Sequence, residues 1–168
     1  SAQQACVTGS APYSGDPNSD AANSASAAGA QEQVPPEHQE AYMLAQQGDY
    51  AGAAAAYEKV LEADPNDARA ARERAKALLL ARSANANVRE VRAAAADNPD
   101  DVEAQLAVAD IDMIGGQIQD AFDRLLDFVA AGHKADIEPV RKRLLEYFTI
   151  PEPTDERLKR ARRRLATL

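Results

Sequence analysis

Along residues 37–168 the large apolar side chains return every three or four positions, the spacing that gathers them on one face of a helix. Tyr42, Leu44 and Ala45 form the first such face, and Tyr57, Val60 and Leu61 the second, over about 50–63. A third helix, about 68–82, carries Ala71, Ala75, Leu78 and Leu79. After a short helix from Val88 to Ala96, the residues Val102, Leu106, Ala109 and Met113 mark another. Ile118, Ala121, Phe122, Leu125 and Val129 mark the next. Ile137, Val140, Leu144, Leu145 and Phe148 make one further stripe, and Leu158, Ala161, Leu165 and Leu168 a narrow last one. Pro35-Pro36-Glu37 opens the first helix, as proline does at a first turn, and Pro151-Glu152-Pro153 breaks the penultimate one. Asn66 or Asp67, Asp136 and Thr154 stand where N-caps are wanted, and Asp100 with Glu103 reads as an acidic capping box. The fold class this predicts is all-α.

Two of the breaks are the same break. Gly48-Asp49-Tyr50-Ala51-Gly52-Ala53 turns between two helices, and Gly116-Gln117-Ile118-Gln119-Asp120-Ala121 repeats it 68 residues later; Pro65 and Pro99 lie 34 residues apart. Glycine supplies the positive φ that a short interhelical turn needs. Ala53 and Ala121 fall where two helices come closest, and Tyr57 fills the space beyond. Glycine, alanine, aromatic and proline in that order, with a 34-residue period, resemble the tetratricopeptide repeat. Three helical-hairpin pairs are expected. The middle one is degenerate, because Ser83-Ala84-Asn85-Ala86-Asn87 stands where a glycine turn should be. The last two helices are expected to cap the stack.

Residues 1–34 hold almost no large apolar side chains and read as an Ala/Ser-rich linker or tail ahead of a helical domain over 35–168. The absence of tryptophan and the abundance of alanine favour helices packed through small side chains. No run of about 18 apolar residues exists to span a membrane, and the first residues lack the basic and apolar regions of a signal peptide. The net charge of −8 conceals an asymmetry. Residues 37–136 carry 19 acids against 10 bases, and residues 137–168 carry nine bases against five acids. An acidic body with a basic end argues against nucleic acid, which wants a broad basic face, and leaves a protein partner at the basic end.

The stretches AQQGDYAGAAAAYEKVL, NPDDVEAQLAVADIDMIGGQIQDAFDRLLDFV, VRKRLLEYF and RLKRARRRLATL together look like the C-terminal region of the YbbN-type co-chaperones, or chaperedoxins. The resemblance covers roughly residues 37–168. It implies a bacterial, cytoplasmic protein of folding, stress response and redox homeostasis. Such a protein would hold unfolded or oxidised client proteins and hand them to the chaperonin and to Hsp70-type chaperones. In that family a thioredoxin-fold domain comes first. None precedes residue 37 here, so the chain is expected either to begin near the interdomain linker, the favoured reading, or to be a relative without that domain, and the family's redox activity is not carried over. Two other readings stand beside this one: an accessory domain that positions a thioredoxin-like oxidoreductase on its substrates, and a generic peptide-binding scaffold.

No catalytic residue, cofactor or metal ligand is assigned. Cys6 is the only cysteine, so no intrachain disulfide can form, and it reads as an ordinary thiol. His38 and His133 share no metal or catalytic spacing and read as solvated surface side chains. Asp97, Asp100, Asp101 and Glu103 lack the order of a calcium loop. Asp110 and Asp112 cannot share a helical face as an acid–base pair, and Asp120, Asp123 and Asp127 line one side of a helix as a solvated face. The candidate partner surface is the final helix, with Arg160, Arg162, Arg163 and Arg164 around Leu165 and Leu168, suited to a groove with an acidic rim.

Overall fold

Helix after helix, the chain keeps the phase of its apolar stripes. The structure, a computed structural model, describes residues 33–168. The linker expected over 1–34 lies almost wholly outside the described residues, and Cys6 entirely so. Among them are eight α-helices and no strand: α1 (Gln39–Gln46), α2 (Tyr50–Ala63), α3 (Ala68–Arg82), α4 (Val88–Asp97), α5 (Val102–Ile114), α6 (Ile118–Ala130), α7 (Ile137–Tyr147) and α8 (Glu156–Ala166).

The chain divides into two units, Ser1–Gln39, described only from residue 33, and Glu40–Leu168. In the described part of the first, Pro36–His38 forms a 3-10 turn, and Gln39 Nε2 donates to the Val34 carbonyl at 2.9 Å. The prolines thus open a 3-10 turn and the α-helix starts later than the sequence suggests. His38 is 1% exposed, which corrects its reading as a solvated side chain.

The repeat is visible in the turns of the second unit. At Gly48 the φ is +85°, the Asp49 amide donates to the Leu44 carbonyl at 2.9 Å, and the Gly48 amide to the Ala45 carbonyl at 3.0 Å. At Gly116 the φ is +81°, with Gln117 donating to Asp112 at 2.8 Å and Gly116 to Met113 at 3.1 Å. Both are the same glycine-closed helix end, in which the last carbonyls find donors beyond the helix. The proline turns match as closely. Asp67 donates to Asp64 across Pro65, and Asp101 to Asn98 across Pro99, each at 3.1 Å. Asp67 and Asp101 then cap α3 and α5 with their side chains. The cap of α5 is therefore Asp101, not Asp100, and that of α8 is Asp155, not Thr154. Asp136 sits at the N-cap of α7 but makes no side-chain cap bond there, because the 3-10 turn Lys134–Asp136 feeds the helix directly.

Two hydrophobic clusters form inside. One is lined by small residues, Ala41, Ala53, Ala54, Ala56, Ala70 and Ala77, with Tyr57 and Val60 filling the remaining space. Here α2 packs along α3 more extensively than any other two helices pair, the close approach that alanine permits. The other is built from large side chains, among them Leu106, Met113, Phe122, Leu125, Leu126, Leu144, Tyr147 and Phe148. α3 contributes Leu79 to this second cluster and Ala70 and Ala77 to the first. α6 is its centre and touches α5, α7 and α8. The degenerate middle repeat shows in α4, which is capped by Asn87 and packs chiefly on α5.

Candidate functional site: an aspartate-lined groove and an arginine face on either side of α6

Three helices, α4, α5 and α6, leave an open groove of about 860 Å³ between them. Five aspartates and two arginines line it, with His133 at one end. Asp120, Asp123 and Asp127 recur at three- and four-residue spacing, so α6 presents all three along one edge. Asp100 comes from the link between α4 and α5. The face read from sequence as merely solvated is thus a groove wall.

Both arginines are spent on the groove's buried carboxylate. Asp112, 2% exposed, accepts from Arg92 Nη2 at 2.9 Å and from Arg124 Nε at 3.4 Å. Arg124 also reaches Gln105 Oε1 at 3.4 Å, and Gln105 Nε2 donates to the Ala95 carbonyl at 3.2 Å. A buried charge is tolerated only when paired in this way. Among the described residues none forms an ion pair with Asp120 or Asp123, so the wall carries uncompensated negative charge.

His133 closes the end of the groove. Its ring stacks on Phe128 with centroids 4.0 Å apart. Nδ1 lies 2.9 Å from the Phe128 carbonyl oxygen and Nε2 lies 2.9 Å from Asp100 Oδ1. Both neighbours are acceptors, so only the imidazolium, with two N–H groups, satisfies both. The hydrogen bond to the Phe128 carbonyl, with help from Asp100 and Asp136, raises the histidine pKa against the opposing effect of burial. This corrects its reading as a solvated surface side chain.

On the opposite face of α5, Asp110 is 3% exposed and held from two other helices, α3 and α7. Arg82 of α3 forks onto it with Nε and Nη2, each at 2.9 Å, Arg143 of α7 donates at 3.0 Å, and the Tyr147 hydroxyl donates at 2.5 Å. Arg82 Nη2 also donates to Glu146 at 2.8 Å. Burial raises the Tyr147 pKa, reinforced by the Asp110 charge, so the phenol stays a donor. Burial works against the Arg82 charge, but the two carboxylates outweigh it and raise its pKa. Two arginines, Arg82 and Arg143, against two carboxylates, Asp110 and Glu146, make this a neutral tie between α3, α5 and α7. The sequence carried a signal for both buried aspartates. Asp110 and Asp112 stand 68 residues after Tyr42 and Leu44, where the earlier repeat places large apolar side chains.

The repeat-defining residues fall as their phase requires. Ala53 and Ala121 are 0% exposed, and Tyr57 is buried. On α8 the candidate partner residues separate. Leu165 lies in the large core cluster with Leu158 and Ala161, and Leu168 packs against it. Arg164 pairs with Asp127 at 2.6 Å, Arg160 reaches Gln119 at 3.5 Å, and Arg162 lies over the Phe148 ring at 5.9 Å. Arg163 is exposed. The apolar stripe is used inside the molecule and the arginines remain as a surface. No helix among the described residues is long and apolar enough to cross a membrane.

The family described as Tetratricopeptide repeat matches residues 81–168, just over half of the chain. Among curated proteins, the chain is similar to Uncharacterized protein Rv1324 of Mycobacterium tuberculosis and Uncharacterized protein Mb1359 of Mycobacterium bovis. Each is 30% identical over 137 residues, which are 80% of this chain and 44% of the relative. The chain therefore spans less than half the length of these relatives. No solved structure matches it at a significant level.

Proposed function

We infer that this chain, which belongs to the tetratricopeptide repeat family, is a protein-interaction module whose aspartate-lined groove receives a basic segment of its partner. The observation that carries the reading is the unbalanced groove wall: among the described residues Asp120 and Asp123 line an open cavity without an ion pair, while both local arginines are engaged by Asp112. A lysine- or arginine-bearing segment would supply the missing charge, and the aspartate spacing of about 5–6 Å along α6 suits basic side chains on alternate positions of an extended chain. The test is fluorescence anisotropy with a labelled lysine–alanine peptide. Asp120→Lys with Asp123→Lys should weaken binding at least about tenfold, and salt should weaken the parent's binding as well. Equal binding by parent and variant overturns the groove reading.

The finer reading is that of a co-chaperone. The resemblance of residues 37–168 to the chaperedoxin C-terminal region supports it, as does the greater length of the mycobacterial relatives, which leaves room for a further domain. On this reading the module holds unfolded or oxidised clients, has no chemistry of its own, and uses the exposed arginines of α8 to meet chaperonin or Hsp70-type chaperones. Arg160→Glu with Arg163→Glu should abolish capture by purified chaperonin while leaving the helices folded. Unchanged capture by that variant would remove α8 from the interaction. The accessory-domain alternative is separated from this by the full-length protein. It requires a paired-cysteine thioredoxin domain whose turnover on protein substrates falls when the helical module is removed.

A further inference from the structure

The groove has an end that responds to protons. His133 is attached on both sides of its ring, by the Phe128 carbonyl at the C-terminal end of α6 and by Asp100 in the α4–α5 link, and it is stacked on Phe128 between them. A neutral imidazole has one N–H and one lone pair, so one of these two acceptors would then face a lone pair. We propose that His133 is a proton-operated latch: the imidazolium ties the α4–α5 link to the end of α6, and its deprotonation releases Asp100 into the groove wall.

The charges around it favour the latch. Asp100 faces it from the α4–α5 link and Asp136 from the 3-10 turn before α7. Asp120, Asp123, Asp127 and Arg124 from α6, Arg92 from α4 and Asp112 from α5 share the same groove. Within that set Asp112 offsets one of the two arginine charges it bridges, and Asp127 is paired with Arg164, which leaves Asp100, Asp120, Asp123 and Asp136 against one positive charge. The field at the ring is therefore net negative. The folded state binds the proton more tightly than the unfolded one, so the latch is complete below the ordinary histidine range and is lost as pH rises through the raised value. Releasing it frees Asp100, whose side chain is 86% exposed, and makes the rim more negative. The biological consequence rests on the groove reading: affinity for a basic segment should rise about two- to fivefold between about pH 5.5 and pH 8.5, the size of one exposed charge pair.

Two-dimensional NMR of the chain tests the latch without any ligand. The His133 ring signal, assigned with His133→Gln, should titrate above the ordinary value of about 6.5, and the backbone amides of Asp100 and Asp101 should shift with the same midpoint. In Asp100→Asn the His133 midpoint should fall toward about 6.5 and the amide shifts should flatten. A midpoint at or below the ordinary value, or link amides indifferent to the His133 titration, overturns the proposal. Repeating the lysine–alanine peptide titration at both pH values reads the groove separately. No peptide binding at either pH, with an intact ring titration, would overturn the groove reading and leave the latch standing.

Discussion

Gly48 and Gly116 hold left-handed φ values in open surroundings, where an added Cβ meets nothing within 4 Å. Replacing either by alanine therefore costs backbone strain alone, about 1–2 kcal/mol for each, read as a lower urea midpoint with unchanged slope. Ala53 and Ala121 are the reverse case, sterically full and conformationally ordinary. Ala53→Leu or Ala121→Leu should cost about 1–3 kcal/mol by overpacking, whereas Ala51→Leu, on the exposed side of α2, should cost almost nothing. Either buried substitution leaving the midpoint unchanged would undo the equivalence of the two repeats. Asp155 adds a pH dependence at the start of α8. The Arg157 side chain bonded to it draws its pKa down to about 2. Its contribution is thus complete above the ordinary carboxylate range and lost as pH falls through about 2, so the Arg157 amide should stay protected at about pH 4.5 and lose protection only under strong acid.

Among the elements, α5 is held to its neighbours by carboxylates on two of its faces. Asp110→Ala removes the acceptor shared by Arg82, Arg143 and the Tyr147 hydroxyl, leaving Arg82 only Glu146, and should cost about 3–5 kcal/mol, against about 1–3 kcal/mol for Tyr147→Phe, which removes one donor from a carboxylate that keeps two others. Thermal denaturation of the two variants checks the order. These ties mark the limit of what the chain discloses in one dimension. Helix limits were readable, because a stripe such as Ile118, Ala121, Phe122, Leu125 and Val129 is written within one turn of itself. The partners of Asp110 lie 28, 33 and 37 residues away, and one partner of Asp112 lies 20 residues away, at distances where no local rhythm connects an acid to the group that holds it. The caps fall on Asp101 and Asp155, each one residue beyond Asp100 and Thr154, since adjacent polar residues are equally competent and only the path of the chain selects between them. The groove was legible only as the row Asp120, Asp123 and Asp127; its opposite wall comes from α4, in the repeat whose sequence is least regular.

At the scale of the whole module, α8 is part of the fold as well as a surface. Removing residues 154–168 would strip Leu158, Ala161 and Leu165 from the large cluster and uncover Phe122 and Leu126, so truncation tests folding and partner binding at once. Charge reversals on its exposed arginines test binding alone. The contrast between the two clusters also sets an order in time. Alanine contributes little apolar area per residue, so the cluster around α1 and α2 should open and reclose many times while the aromatic cluster around α6 stays shut. Hydrogen exchange should find the amides of α2 escaping through such partial openings and those of α6 only through complete unfolding. α3 is the hinge between these tempos, with Ala70 and Ala77 in one and Leu79 in the other. Leu79→Ala should therefore decouple them and turn a single cooperative transition into two, leaving a slow half that keeps its grip on a partner while the fast half is exposed to proteases.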